Sequence, residues 1–181
     1  MHTPDQIPFP VTLEEVLAAR DARAAFQQTL FKTYPDATLI CLTVNIPGPI
    51  KRTPLSQRVF QGGVQALRDA LAQDGMPMLF FQQRSEHTGS EAYFVVDADG
   101  LALKRLTCEL EESLPYGRLL DADVHTKDGQ ISRTQVGYAP RGCMVCGQAG
   151  GGCASRRLHS LEALTKTFNR LAELAPQEEI S

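Results

Sequence analysis

Helical and extended periodicities alternate along all 181 residues, and this alternation restricts the fold more than any single motif. Thr12-Leu-Glu-Glu15 reads as a capping box, in which the threonine hydroxyl and the glutamate carboxylate satisfy each other's free backbone N–H groups. It predicts a helix to about Thr33 with Leu13, Val16, Leu17, Phe26 and Leu30 as its apolar positions, ended by Tyr34-Pro35. The β-branched run 37–44 follows as a buried strand and stops at Asn45-Ile-Pro-Gly-Pro49, which continues neither helix nor ladder. Phe60, Val64, Leu67 and Leu71 then mark a second helix over 55–73, stopped by Gly75. Residues 77–83 and 91–96 read as strands joined by a polar loop, and Asp97-Ala-Asp-Gly100 leads into a third helix with the stripe Leu103, Leu106, Leu110, Leu114. Residues 117–125 read as a strand, and Asp128-Gly129 is a type I′ hairpin signal into 130–138. After a Gly- and Cys-rich loop over 140–153, Ser160 caps a last helix bearing Leu161, Leu164, Phe168, Leu171 and Ala175. The order α-β-α-β-β-α-β-β-α, with no internal repeat or linker, predicts one α+β domain over 1–181: a mixed sheet with flanking helices and a Cys/His-containing segment over 140–181.

Composition narrows the function. Lys and Arg number 18 against 21 Asp and Glu, a net charge of −3 that argues against a nucleic-acid polymer as partner. No apolar run approaches the roughly 18 residues of a membrane span, and the first residues lack the basic-then-apolar pattern of a signal peptide, so no membrane association and a cytoplasmic setting are expected. The odd count of five cysteines in such a chain points to reduced thiols or metal ligands.

Four constellations carry possible chemistry. In Leu119-Leu-Asp121-Ala-Asp123-Val124 the two carboxylates share one face of a strand, where their repulsion favours a hard divalent cation such as Mg²⁺; the same spacing also suits a solvated strand face. Gly117-Arg118 just before it offers close backbone approach and a bidentate phosphate partner. Cys143, Cys146, Cys153 and His159 form a Cys₃His set able to close a structural Zn²⁺ site, or else are small loop residues beside a helix cap. Asn45 to Lys51 and Arg52 places a rigid turn and two cations at a strand end, a natural place to meet phosphate and equally an ordinary surface loop. Arg133, Arg141, Arg156 and Arg157 form a basic stretch suited to an acidic partner or to solvent.

Taken together, these residues resemble the citrate lyase phosphoribosyl-dephospho-CoA transferases, also called holo-citrate lyase synthases. The resemblance rests on four stretches in order: 12–20, Leu42-Thr-Val-Asn-Ile-Pro-Gly-Pro-Ile-Lys51, Gly117-Arg-Leu-Leu-Asp-Ala-Asp-Val124, and Pro140-Arg-Gly-Cys-Met-Val-Cys146 through Cys153, Arg156 and His159. It implies an enzyme of the nucleotidyltransferase type. The donor would be 2′-(5″-triphosphoribosyl)-3′-dephospho-CoA, the acceptor a serine of the apo acyl carrier protein (gamma) subunit of citrate lyase, and diphosphate the leaving group. It further implies Asp121 and Asp123 as Mg²⁺ ligands, Arg118 beside them as a catalytic cation, and Asn45, Lys51, Arg52, Arg141 and Arg156 as donor-binding residues. Zn²⁺ on Cys143, Cys146, Cys153 and His159 would be structural. The Asp-x-Asp strand also occurs in polymerase-β-type nucleotidyltransferases, whose upstream Gly-Ser turn is absent here, with Gly117-Arg118 in its place. Glu109, Glu111 and Glu112 are available as a third carboxylate. Competing expectations are a zinc-stabilised module that binds a carrier protein or nucleotide without catalysis, and the same chemistry on another acyl carrier such as that of malonate decarboxylase.

Overall fold

The computed structural model describes residues 9–148 and 152–177. The elements are α1 (Leu13–Thr33), β1 (Thr38–Val44), α2 (Pro54–Gln73), β2 (Met78–Glu86), β3 (Gly89–Val96), α3 (Gly100–Ser113), β4 (Leu120–Thr126), β5 (Gly129–Ile131), a single helical turn α4 (Gly152–Ser155) and α5 (Leu161–Ala172). One five-stranded sheet runs in the order β2-β3-β1-β4-β5.

The α+β class and the helix-flanked sheet are as the sequence predicts. The expected mixture of parallel and antiparallel pairs is not found: all four pairings are antiparallel. The reason lies in the crossovers. α2 links β1 to β2 and α3 links β3 to β4, strands that point the same way, but in each case another strand is inserted between the two. This is the split β-α-β arrangement, in which helical crossovers coexist with an antiparallel ladder.

β1 is central, and its two faces are covered differently. Ile40 and Leu42 meet α2 (Val59, Phe60, Val64, Leu67, Leu71), α3 (Leu103, Leu106) and α5 (Phe168, Ala172) in the main core. Leu39 and Cys41 face Phe26, Leu30 and Tyr34 from the end of α1 in a smaller cluster with Tyr93 and Val95. Burial of Cys41 there pushes its thiol up to about 12, so it is an inert core residue. The capping box of α1 forms as expected, with Thr12 N–H donating to Glu15 at 2.8 Å and Glu15 N–H to the Thr12 hydroxyl at 3.2 Å. The fully buried position of α1, Leu30, lies in its second half, and Leu13 at its start is 75% exposed.

Three local expectations change. β2 and β3 form a longer hairpin than predicted, turning at His87-Thr88 without an intervening polar loop. The hairpin at Asp128-Gly129 is present, but Gly129 alone has positive φ (133°) and Lys127-Asp128 form the turn, so it is not type I′. After Ile131 the chain leaves the sheet and coils into a 3₁₀ turn over Arg133–Val136, closed by its own Ser132/Gln135 capping box, which takes the place of a strand to 138.

Candidate functional site

β4 supplies the site's frame. Its residues alternate as the sequence requires: Leu120, Ala122 and Val124 enter the core while Asp121, Asp123 and His125 point to the opposite face. The strand begins one turn later than predicted, because Gly117–Leu119 form a 3₁₀ turn. Gly117 is required there, since a Cβ would lie 2.2 Å from the Glu111 carbonyl oxygen. That close approach aims Arg118 into a cleft.

Two buried charges from α3 hold the edge of β4 between its aspartates. β5 is too short to reach Ala122, so Lys104 donates to the Ala122 carbonyl (3.0 Å) and the Ala122 N–H donates to Glu111 (2.9 Å). Glu111, with its side chain only 3% exposed, also pairs with Arg133 and Arg141, each at 3.3 Å. Burial pushes the Glu111 carboxyl up, opposed by Arg141 and by the Ala122 N–H. Of the three glutamates available to sequence reading, Glu111 is thus a buried anchor set back from the Asp face. The available signal was its spacing from Lys104, seven residues or two helical turns along one side of α3.

Arg141 connects this anchor to the aspartates. It donates to the Leu120 carbonyl and lies 3.4 Å from Asp121, whose side chain is 49% exposed. Asp123 accepts from Gln130 at 2.7 Å. Burial, then the charge of Asp121, pushes the Asp123 carboxyl up. Two carboxylates whose repulsion is relieved by a cation, one of them open to solvent, fit Mg²⁺, which takes one or two protein carboxylates and completes its shell with water and substrate phosphate. His125, the next residue on this face, is kept toward its neutral form by burial.

The cleft, about 490 Å³, reaches Asp121 through Arg141, which lines it and lies 3.4 Å from that carboxylate. Asn45 and Pro47 from the β1 turn, Arg118, Arg141, the Cys loop, Arg157, and Leu161 and Leu164 of α5 line it. The Asn45 N–H donates to the Leu119 carbonyl at 2.8 Å, which ties the Pro-Gly turn to the start of β4. Arg118 donates to the Gly142 carbonyl, and its guanidinium is pushed down by burial and by the nearby Arg141. Two like charges held side by side at a cleft favour an anion between them.

The Cys loop closes the far wall. The Sγ atoms of Cys143, Cys146 and Cys153 and a ring nitrogen of His159 all lie within 4.8 Å of one another, with Cys146 and Cys153 3.5 Å apart. A zinc tetrahedron with ~2.3 Å Zn–S bonds has S···S edges of about 3.8 Å. Gly147 at φ 73° completes the Cys-x-x-Cys turn, and the backbone N–H groups of Cys146 and Val145 point at Cys143, lowering its thiol to about 6 and favouring the thiolate that metals bind. Cys153, held by its hydrogen bond with Cys146, is raised to about 11. His159 Nε2 is buried without a hydrogen-bond partner. The cluster is therefore a possible metal site whose donor set is compatible with structural zinc. Among the described residues it is the one grouping of three or more such ligands.

The structure thus brings together Asp121, Asp123, Arg118, Asn45, Arg141 and the Cys₃His set. It does not bring in the other three cations. Lys51 turns back to the Ile46 carbonyl and braces the Pro-Gly turn, and Arg52 and Arg156 are exposed and do not line the cleft, whereas Arg157 does.

The sequence profile of the apo-citrate lyase phosphoribosyl-dephospho-CoA transferase family matches residues 11–174. The chain belongs to this family. An apo-citrate lyase phosphoribosyl-dephospho-CoA transferase of Escherichia coli O139:H28 is 38% identical over 165 residues, covering 91% of this chain and 88% of that protein. A probable transferase of the same name from Streptococcus pyogenes serotype M3 is 37% identical over 166 residues, covering 89% and 85%. The Haemophilus influenzae protein CitXG is 37% identical over 164 residues, covering 90% of this transferase-family chain but 35% of its own longer length. No described helix of the chain is long and apolar enough to cross a membrane.

Proposed function

We propose that the chain transfers the phosphoribosyl-dephospho-CoA group of 2′-(5″-triphosphoribosyl)-3′-dephospho-CoA to a serine of the apo acyl carrier protein subunit of citrate lyase, and that it does so in the cytoplasm. The observation that carries the reading is the paired Arg118 and Arg141 at a cleft beside Asp121, because it sets an anion-binding pair next to a cation-binding pair. A triphosphate needs both.

In this reading the donor's phosphate chain enters the cleft and lies along Arg118 and Arg141, which orient it by charge-assisted hydrogen bonds. Asp121 and Asp123 would hold Mg²⁺, which when bound neutralises the triphosphate and stabilises the departing diphosphate. Glu111 keeps Arg141 and the Ala122 peptide in place, so that the guanidinium and the two carboxylates stay in fixed relation. The carrier serine oxygen loses its proton to solvent and forms a bond to the phosphorus nearest the ribose, the bond from that phosphorus to the oxygen of the outer two phosphates breaks, and diphosphate leaves. The Asp121 side chain is half-exposed, so a second protein has access to it.

The test is incubation of the purified chain with donor, Mg²⁺ and the apo carrier of citrate lyase, beside the apo carrier of malonate decarboxylase. Diphosphate release with modification of the citrate lyase carrier supports the reading. Modification of the other carrier alone, or binding of either without modification, refutes it.

A further inference from the structure

Arg157 is the one non-glycine residue with positive φ (50°) among the described residues, and it lines the cleft. Its backbone position is that of a helix C′ residue. α4 forms a single turn from Gly152, the Arg156 N–H donates to the Gly152 carbonyl (3.0 Å), and the Leu158 N–H reaches five residues back to the Cys153 carbonyl (3.0 Å). That 6→1 bond is the signature of a Schellman closure, whose left-handed residue is ordinarily glycine. A long side chain in this slot is disfavoured and persists where the surroundings over-determine it.

The surroundings that do so are two ligands of the Cys₃His cluster. Cys153 accepts the closing hydrogen bond and lies four residues before Arg157, and His159 lies two residues after it. A metal joining Cys153 and His159 to Cys143 and Cys146 fixes both ends of this short closure. Without it, the closure has one helical turn on one side and the exposed Leu158 on the other. The buried, unpartnered His159 Nε2 independently indicates that a ligand is expected at the cluster. Four protein donors leave a tetrahedral ion no open position, so such an ion organises the chain and takes no part in the chemistry.

We infer that one Zn²⁺ bound by Cys143, Cys146, Cys153 and His159 holds Arg157 in its left-handed conformation as a third donor-binding cation, so that donor affinity depends on zinc occupancy. Arg157 lines the same cleft as Arg118 and Arg141, which suits a polyphosphate held by several cations. This rests on the proposed donor, although the site itself does not.

The experiment uses the full chain. Metal content is measured by mass spectrometry, and donor binding by calorimetry in Mg²⁺-containing buffer, for the protein as purified, after zinc is stripped and the chelator dialysed away, after zinc is restored, and for zinc-loaded Arg157→Ala and Arg157→Lys. The expected results are one zinc per chain, a donor Kd at least tenfold weaker after stripping and recovered on reloading, and a similar loss in Arg157→Ala with zinc content unchanged. Arg157→Lys retains part of the affinity. Equal donor affinity with and without zinc, a wild-type Kd for Arg157→Ala, or no zinc retained overturns the inference. Donor that binds in a zinc-dependent way but is not passed to the carrier refutes the proposed function and leaves this inference standing. Transfer at undiminished donor affinity by the stripped protein does the reverse, and no donor binding by the loaded protein overturns both.

Discussion

Replacing Glu111 isolates what holds the two aspartates in register. The Glu111→Ala variant removes the acceptor of the Ala122 N–H and the shared partner of Arg133 and Arg141, all in a region that water barely reaches. Breaking a buried ion pair from one side costs about 3–5 kcal/mol, because the remaining charge stays desolvated. An orphaned backbone N–H alone costs about 1–3 kcal/mol. The two terms overlap, so the expected loss is about 3–5 kcal/mol, or a melting temperature lower by about 6–20 °C for a chain of this size. Glu111→Gln removes the charge but keeps an oxygen for the Ala122 N–H, while Arg133 and Arg141 retain Glu112 and Asp121, so it should lose about 1–3 kcal/mol less than Glu111→Ala. Urea titration followed by circular dichroism gives the free energies, and donor KM gives the positional effect on Arg141. A cost below about 1 kcal/mol for Glu111→Ala, or equal damage from Gln and Ala, would exclude this role for Glu111.

Other expectations follow from the same geometry. Asp121→Asn and Asp123→Asn should each reduce transfer about a hundredfold or more while leaving the melting temperature within a few degrees, since several kcal/mol of transition-state stabilisation depends on the cation they hold. Because burial and Asp121 raise the Asp123 carboxyl, protons compete with Mg²⁺ there at a pH above the usual aspartate range; Mg²⁺ affinity should fall on acidification through that raised value. Asp121→Asn should move the midpoint of residual Mg²⁺ binding to lower pH, and an unmoved midpoint contradicts the assigned cause. Gly117→Ala drives a Cβ against the Glu111 backbone, and at about 1–3 kcal/mol for overpacking should lower the melting temperature by about 2–12 °C. A melting curve superimposable on that of the parent protein would show that the turn relaxes freely.

The sequence exposed those features whose causes are local. The Thr12/Glu15 box, the Ser160 cap and the two-residue alternation of β4 each depend on neighbours within four positions, and each is present in the structure. The Cys₃His set was readable from donor type, and the fold then brings His159 to it. What stayed hidden depends on long-range placement. Insertion of β3 between β1 and β2, and of β1 between β3 and β4, decides that the sheet is antiparallel, and no local pattern records it. Lys104 and Glu111 look like ordinary helix-surface charges until the shortness of β5 leaves the Ala122 peptide for them to pair. Arg156 and Arg157 are indistinguishable as composition, and only the second, at the left-handed turn, lines the cleft. Leu13 and Leu17 have helical spacing, yet both stay exposed.

The central claim is that this site moves a phosphoribosyl-dephospho-CoA group onto a protein. Intact-mass analysis of the apo carrier of citrate lyase, before and after incubation with the chain, donor and Mg²⁺, measures it most directly. The expected result is a single addition equal to the donor less diphosphate, located on one serine and lost with Asp123→Asn. An unchanged carrier mass after donor has been shown to bind the chain, or the same addition formed without the chain, would contradict it.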